Sequence, residues 1–295
     1  MYSLITDNNA LAAYCQQVAA DSVLALDTEF IRQSTLYPKL GLIQLFDGQS
    51  LALVDPLKVS DWQPLQQLLL RPDCIKMLHS CTEDLEAFAT IGINRISPLF
   101  DTQLAAELLG WGSSVGYARL VEQLSGLILD KSESRTDWLA RPLSSTQLQY
   151  AANDVHYLYP LYAKLCTELT TAQHQLLLQE GEQLNNRKLQ QLPLQYRYLE
   201  IKNSWQLSPR ELAVLREMAA WRQQYAMQRD LALGLIIKDI QLIELAKRRP
   251  ATAESLLNIP GMPPRELRRH AKALIELIST PTKINKVLAF KCLVI

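Results

Sequence analysis

The run Val23-Leu24-Ala25-Leu26-Asp27-Thr28-Glu29-Phe30 constrains this chain more than any other stretch. Four apolar residues lead directly into an acid, a threonine and a second acid. In an extended strand the side chains alternate between faces, so Asp27 and Glu29 share one face while Thr28 points to the other. Two carboxylates at the end of a buried strand repel each other and lose their hydration, a cost that a bound cation offsets. A strand end open to solvent would need no cation, so the pair decides nothing alone. Acids elsewhere in the chain decide it.

The chain has 295 residues and is 48% hydrophobic with only 10 Gly and 14 Pro, which suits a folded protein of two domains. Five cysteines, Cys15, Cys74, Cys81, Cys166 and Cys292, are odd in number and form no C-x-x-C pair. That argues against a zinc or disulfide framework and for a reducing compartment. With no basic-then-apolar leader and no apolar run of membrane-spanning length, a cytoplasmic location is expected. The net charge of zero conceals two opposed halves. Residues 1–170 carry 11 Lys+Arg against 19 Asp+Glu, and residues 171–295 carry 19 against 11. The acidic half suits cations and the basic half a polyanion.

Strands are expected at Tyr2–Ile5, at the Asp27 run, at Leu42–Phe46, at Leu51–Val54 and at Ile75–His79, with Asp47-Gly48 turning a hairpin. Helices are expected over Asn8–Ala20 behind an Asp7 cap, Trp62–Leu70, Thr82–Ala89, Thr102–Leu109 and Tyr117–Leu124. A meander followed by alternating strands and helices predicts an α/β domain, a mixed sheet with flanking helices. Ser144 and Gln147 have capping-box spacing and open a further helix to Tyr159, which Pro160 should kink or restart. On it, Tyr150 and Asp154 are four apart and therefore neighbours on one face. The loop Gly126–Arg141 mixes Lys131, Arg135 and Arg141 with Trp138. That is a combination found in single-strand binders, and equally in a solvated loop anchored by one tryptophan. Residues 171–206 read as a helical linker. A small all-α bundle follows, with helices at Pro209–Arg229, Ile240–Arg248, Thr252–Leu257 and Pro264–Ile278.

Asp27, Glu29, Asp84 and Asp154 thus lie on three elements of one domain, with Tyr150 beside the last. An oxygen-only set of this kind suits Mg²⁺, which takes carboxylates and keeps several waters. Two such ions can serve both the attacking and the leaving oxygen of a phosphodiester displacement. Asp84 and His79 each have a plain structural reading too, as a first-turn helix acid and as the polar end of a buried strand.

Asp27-Thr28-Glu29, Asp84 after His79-Ser80-Cys81, and Tyr150-x-x-x-Asp154 resemble the motifs of the DEDD exonucleases, in the subclass with a tyrosine. The text Leu129 to Leu143 is similar to that of the bacterial ribonuclease D family, and the resemblance extends over about residues 1–280. It implies a ribonuclease-H-like sheet over 1–170, a linker over 171–206 and an HRDC domain over 207–280. It also implies a metal-dependent 3′→5′ exoribonuclease that trims RNA, tRNA precursors with single-stranded 3′ tails above all, and releases 5′-mononucleotides. Carried over, Asp27, Glu29 and Asp154 hold one Mg²⁺. Asp27 bridges to a second, which Asp84 supports through water, and Mn²⁺ is the substitute metal. Tyr150 orients the attacking water, a safer role than general base for a phenol whose ordinary pKa is near 10. The family usually carries a second HRDC-like domain. Residues 281–295 are too short for one and end apolar, which suggests truncation or a frame change.

The motifs do not separate RNA from DNA, so a DNA 3′→5′ exonuclease is the alternative within the same chemistry. A catalytically inactive nucleic-acid scaffold is the alternative outside it, and the complete acidic set argues against that. Substrate contacts are expected from Lys131 and Arg135, and from Arg265, Arg268, Arg269 and Lys272. Those four fall at i, i+3, i+4 and i+7, a basic stripe opposite Leu267, Ala271, Leu274 and Ile278.

Overall fold

The computed structural model describes residues 1–129, 133–189, 192–261 and 264–279, and the side chains of these except at 187–189 and 264–268. Lys131, the side chains of Arg265 and Arg268, and the tail from 281 on lie outside the described residues. The chain divides into two units. The first runs through β1 (Tyr2–Ile5), α1 (Asn8–Gln17), β2 (Ser22–Ile31), β3 (Lys39–Phe46), β4 (Leu51–Val54), α2 (Gln63–Leu69), β5 (Cys74–Leu78) and α3 (Thr82–Ala89). It continues through β6 (Leu99–Asp101), α4 (Thr102–Leu108), α5 (Tyr117–Ser125), α6 (Ser145–Glu168) and α7 (Thr171–Leu189). The sheet order is β1-β4-β3-β2-β5-β6. β2, β3 and β4 form the antiparallel meander, while β1 pairs with β4, and β5 with β2 and β6, in parallel.

Period two in β2 divides the core, as alternation requires. Leu24 and Leu26 face α1, α2 and α3, packing with Leu11, Leu65 and Phe88. Ala25 faces the other way and joins Leu42, Met77, Phe100, Leu120 and Val155. Asp27 and Glu29 continue the Ala25 face, so they meet the layer that contains α6. Asp47 accepts from the N–H groups of Gln49 and Ser50 at 2.9 and 2.7 Å, which closes the β3–β4 hairpin as a four-residue turn.

Three features depart from expectation. β6 is three residues long, too short to show a period, and exists because it pairs with β5. α6 runs through Pro160 without restarting. The proline removes one N–H from the ladder, and burial of Leu158, Leu161 and Leu165 on both sides of it holds the helix together. Residues 171–189 are also more than a linker, because α7 packs on β6. A Cβ added at Gly181 would meet the carbonyl oxygen of Leu99 at 2.2 Å. One turn on, Asn185 accepts from the Ile96 N–H at 3.1 Å and donates to its carbonyl at 2.8 Å.

The second unit comprises residues 33–37 and the chain from 192 on. It is built of α8 (Pro209–Arg229), α9 (Leu233–Ile236), α10 (Asp239–Arg248), α11 (Ala253–Leu257) and α12 (Pro264–Ser279). Ser208 and Glu211 form the capping box that starts α8. Leu215, Met218, Leu242, Leu245, Leu256 and Leu274 make its core. Leu274 and Ile278 of α12 are buried, and Arg269 and Lys272 are exposed.

The Trp138 loop is anchored in the first unit rather than open for stacking. Trp138 is 1% exposed. Arg141 forks onto Asp55 at 2.7 and 2.8 Å and also donates to the carbonyls of Gly41, Trp138 and Ala140. Burial alone would raise the Asp55 pKa, but Arg141 and the Leu57 N–H hold it below the ordinary value. Replacing Arg141 by Ala should therefore destabilise the protein by about 3 kcal/mol in denaturant titration, because a buried carboxylate loses its partner. Arg141→Lys should recover less than half of that, since an ammonium cannot make the fork.

Candidate active site

β2 brings Asp27 and Glu29 beneath α6, which supplies Asp154. One carboxylate oxygen from each of the three lies within 4.8 Å of the others. They line a cavity of about 200 Å³ together with His79, Tyr117, Tyr150 and Leu158. Among the described residues no lysine or arginine lines it to neutralise the three acids. Burial pushes the Asp27 carboxyl up, the Asp154 charge adds to this, and the Thr28 backbone N–H opposes it. Glu29 is pushed up to about 10 by burial and by the charges of Asp27, Asp154 and Asp84, and Asp154 to about 7 by burial. Hard oxygen donors that repel one another in a poorly hydrated cleft are the donor set that a divalent cation fits.

Asp84 reaches this region from the other face of β2. It is buried on the first turn of α3, where its carboxylate accepts the Thr28 hydroxyl at 2.5 Å. Burial and the Asp27 charge raise its pKa, with the Thr28 bond opposing. Among the described residues it is not one of the three mutually close acids. Thr28, the residue that alternation turns away from the cleft, is what ties Asp84 to the strand.

Asp101, Thr102, Tyr117 and Gly41, which no local sequence pattern singles out, help to hold these groups in place. Asp101, at the end of β6, accepts from the backbone N–H groups of Ser80 and Cys81 at 3.0 and 2.8 Å. It also accepts from Gln103 at the start of α4 at 2.8 Å. One carboxylate therefore fixes the turn from β5 into α3, where Ser80 takes φ +56°. His79 bonds Thr102 through Nδ1 at 2.9 Å, and the Tyr117 hydroxyl donates to the Asp154 carbonyl. Gly41 is the extra residue of a bulge, since Glu29 pairs with Leu42 and Phe30 with Leu40. A Cβ on Gly41 would meet the Trp138 carbonyl oxygen at 2.6 Å. The bulge thus lets the Trp138 segment settle on β3, and the Trp138 ring lies 6.2 Å from that of Tyr150. Arg135 is exposed and lines neither this cavity nor the one beside it.

A mixed sheet of this order with an acidic cleft beside its central strand defines a ribonuclease-H-like nuclease. Residues 2–170 match the 3′-5′ exonuclease family and residues 211–278 the HRDC domain. The chain is 45% identical over 298 residues to ribonuclease D of Shewanella sp. (strain ANA-3), covering 99% of this chain and 76% of that one. It is 44% identical over 279 residues to ribonuclease D of Escherichia coli (strain K12), covering 94% and 74%. The crystal structure of Escherichia coli RNase D superposes with a TM-score of 0.86 at 41% identity, covering 99% of this chain and 82% of that chain. The chain belongs to the ribonuclease D family of metal-dependent 3′→5′ exoribonucleases.

The raised pKa values carry a sign. An acid that binds its proton more tightly when folded stabilises the fold below its unfolded pKa and loses that contribution as pH rises through the folded one. Metal-free protein should therefore lose stability, relative to a Glu29→Gln variant, between about pH 4.5 and 10, by up to about 1.4 kcal/mol per pH unit. Divalent cation should restore the melting temperature by an increment larger at pH 8 than at pH 6, and smaller in Glu29→Gln. Thermal melts with and without chelator check both.

Proposed function

We propose that the chain removes nucleotides one at a time from the 3′ end of structured RNA, tRNA precursors with single-stranded 3′ tails among them, using two Mg²⁺ ions. The observation that carries this reading is the close approach of the Asp27, Glu29 and Asp154 carboxylates in one cavity with Tyr150. The Escherichia coli relative is described as an exoribonuclease involved in structured RNA processing, which supports the choice of substrate. Four described cysteines are free thiols and no described helix is long and apolar enough to cross a membrane, and both fit a cytoplasmic enzyme. We divide the chain into an exonuclease domain over 1–170, a connecting region over 171–206 whose helix α7 packs on β6, and an HRDC domain over 207–280.

In the reaction, a water oxygen bonds to phosphorus, the bond from phosphorus to the 3′ oxygen breaks, and that oxygen takes a proton. The products are a 5′-mononucleotide and a chain shorter by one. Asp27, Glu29 and Asp154 would hold one ion, with Asp27 shared with a second that Asp84 supports. When bound, the ions supply positive charge to the attacking and leaving oxygens and acidify water. Tyr150, one helical turn from Asp154 and held near the Trp138 ring, orients the attacking water through its hydroxyl.

The direct test uses 5′-labelled RNA with a single-stranded 3′ tail, with Mg²⁺ or chelator, beside DNA of equal sequence. A ladder shortening from the 3′ end only with metal, and on RNA in preference to DNA, is the expected result. Equal or better cleavage of DNA would overturn the substrate assignment. Asp27→Asn and Asp154→Asn should each lower turnover by more than about a hundredfold while the protein stays folded, since loss of even an outer-shell partner costs 10–100-fold. Tyr150→Phe should lower kcat by about a hundredfold with KM nearly unchanged, the signature of a group that acts in the transition state.

We assign the α12 cations to the RNA backbone. Arg269 and Lys272 are exposed on the face opposite the buried Leu274 and Ile278. Neutralising Arg265, Arg268, Arg269 and Lys272 together should weaken binding similarly for unrelated RNA sequences. It should also reduce the salt slope by up to about 3 if each meets one phosphate of a single strand. An unchanged slope in a filter-binding titration would make the stripe an ordinary solvated face.

A further inference from the structure

A second cavity, also of about 200 Å³, adjoins the acidic one and shares Tyr150 and Asp154 with it. Its other described lining residues are Leu129, Glu133, Thr146, Gln149 and Asn153. The α6 residues of this wall, at 146, 149, 150, 153 and 154, follow i, i+3, i+4, i+7 and i+8 and so form one helix face. Whatever sits at the Tyr150–Asp154 edge therefore has Gln149 and Asn153 as its immediate neighbours. Gln149 Nε2 donates to Asn153 Oδ1 at 2.8 Å, which ties the two amides together. After that bond the pair still offers an amide oxygen and amide N–H groups, whichever way the amides are turned.

We propose that this cavity receives the ribose next to the scissile phosphate, and that Gln149 and Asn153 recognise its 2′-hydroxyl and give the enzyme a preference for ribo- over deoxyribonucleotides. The proposal rests on the exonuclease reading above. Charge argues for a sugar rather than a phosphate. Among the described residues the lining contains the carboxylates of Glu133 and Asp154 and no lysine or arginine, so these walls disfavour an anion. A hydroxyl can donate to a carboxylate or an amide oxygen and accept from an amide N–H, which matches the groups present. Distance argues for a sugar rather than a base. One helical turn is about 5.4 Å, and the sugar is the group bonded directly to a phosphate held at the acids. The 2′-hydroxyl is the atom by which a protein tells the two nucleic acids apart at a given position.

Single-turnover cleavage tests this with an all-ribo oligonucleotide and two versions carrying one 2′-deoxynucleotide, at the last or the penultimate position. Wild type and the Gln149→Ala/Asn153→Ala double variant are compared in Mg²⁺. Wild type should cut one of the singly deoxy substrates about tenfold more slowly than the all-ribo one, the worth of one good hydrogen bond. The double variant should cut all three within about twofold, through a lower rate on the all-ribo substrate. Gln149 is exposed and Asn153 partly so, and a thermal melt of the variant shows that it is folded. The proposal is overturned if the double variant keeps the wild-type preference, if wild type has no preference at either position, or if the variant's defect follows the identity of the terminal base. Failure of wild type to shorten any of the substrates would overturn the exonuclease reading and this proposal with it. Cleavage with an unaltered ribose preference in the variant overturns this proposal alone.

Discussion

Three carboxylates crowded together where β2 meets α6, with no lysine or arginine among the described residues of the wall around them, are the interaction on which the first unit depends. Such an arrangement costs free energy in the metal-free protein, because each acid loses hydration and feels the others' charge. The fold keeps it by making the alternatives worse. β2 is the fourth strand of six, flanked by partners on both sides, and cannot slip without turning Leu24 and Leu26 away from the core. α6 cannot lift without exposing Val155, Leu158, Leu161 and Leu165. The acids are therefore held together by apolar packing that has nothing to do with charge. That is the condition for a site whose affinity for cations comes from repulsion already present.

Around this centre, hydrogen bonds and close packing set positions. The Thr28 hydroxyl holds Asp84, and Asp101 holds the turn that starts its helix. The Gly41 bulge admits the backbone of Trp138, Arg141 ties that segment to Asp55 and to β3, and Trp138 stands beside Tyr150. Gln147 joins the start of α6 to the same segment, with its Nε2 on the Thr136 hydroxyl at 3.0 Å and its Oε1 accepting the Ser144 N–H at 3.0 Å. The phenol ring of Tyr150 is thus placed beside a loop that reads from the sequence as a polar excursion. Arg141, one of the residues that suggested nucleic acid binding, follows the same logic and spends its donors inside the domain.

The sequence by itself determined the local order. Capping residues at Asp7, Ser144 and Ser208, the period-two strand ending in Asp27 and Glu29, and the four-residue spacing of Tyr150 and Asp154 are all properties of short stretches. Short stretches obey fixed geometry, so the α/β unit, the helical unit and the acidic set could be read before any coordinates. Only the tertiary structure decided which acids meet. It brought Asp27, Glu29 and Asp154 within reach of one ion, set Asp84 against Thr28 close enough to feel the Asp27 charge, and turned Trp138 inward. It also found β6, whose reason to exist is pairing with β5, and seated α7 on it by close packing at Gly181. Those contacts join residues tens of positions apart, and their energy comes from burial and complementary shape, which no local period encodes.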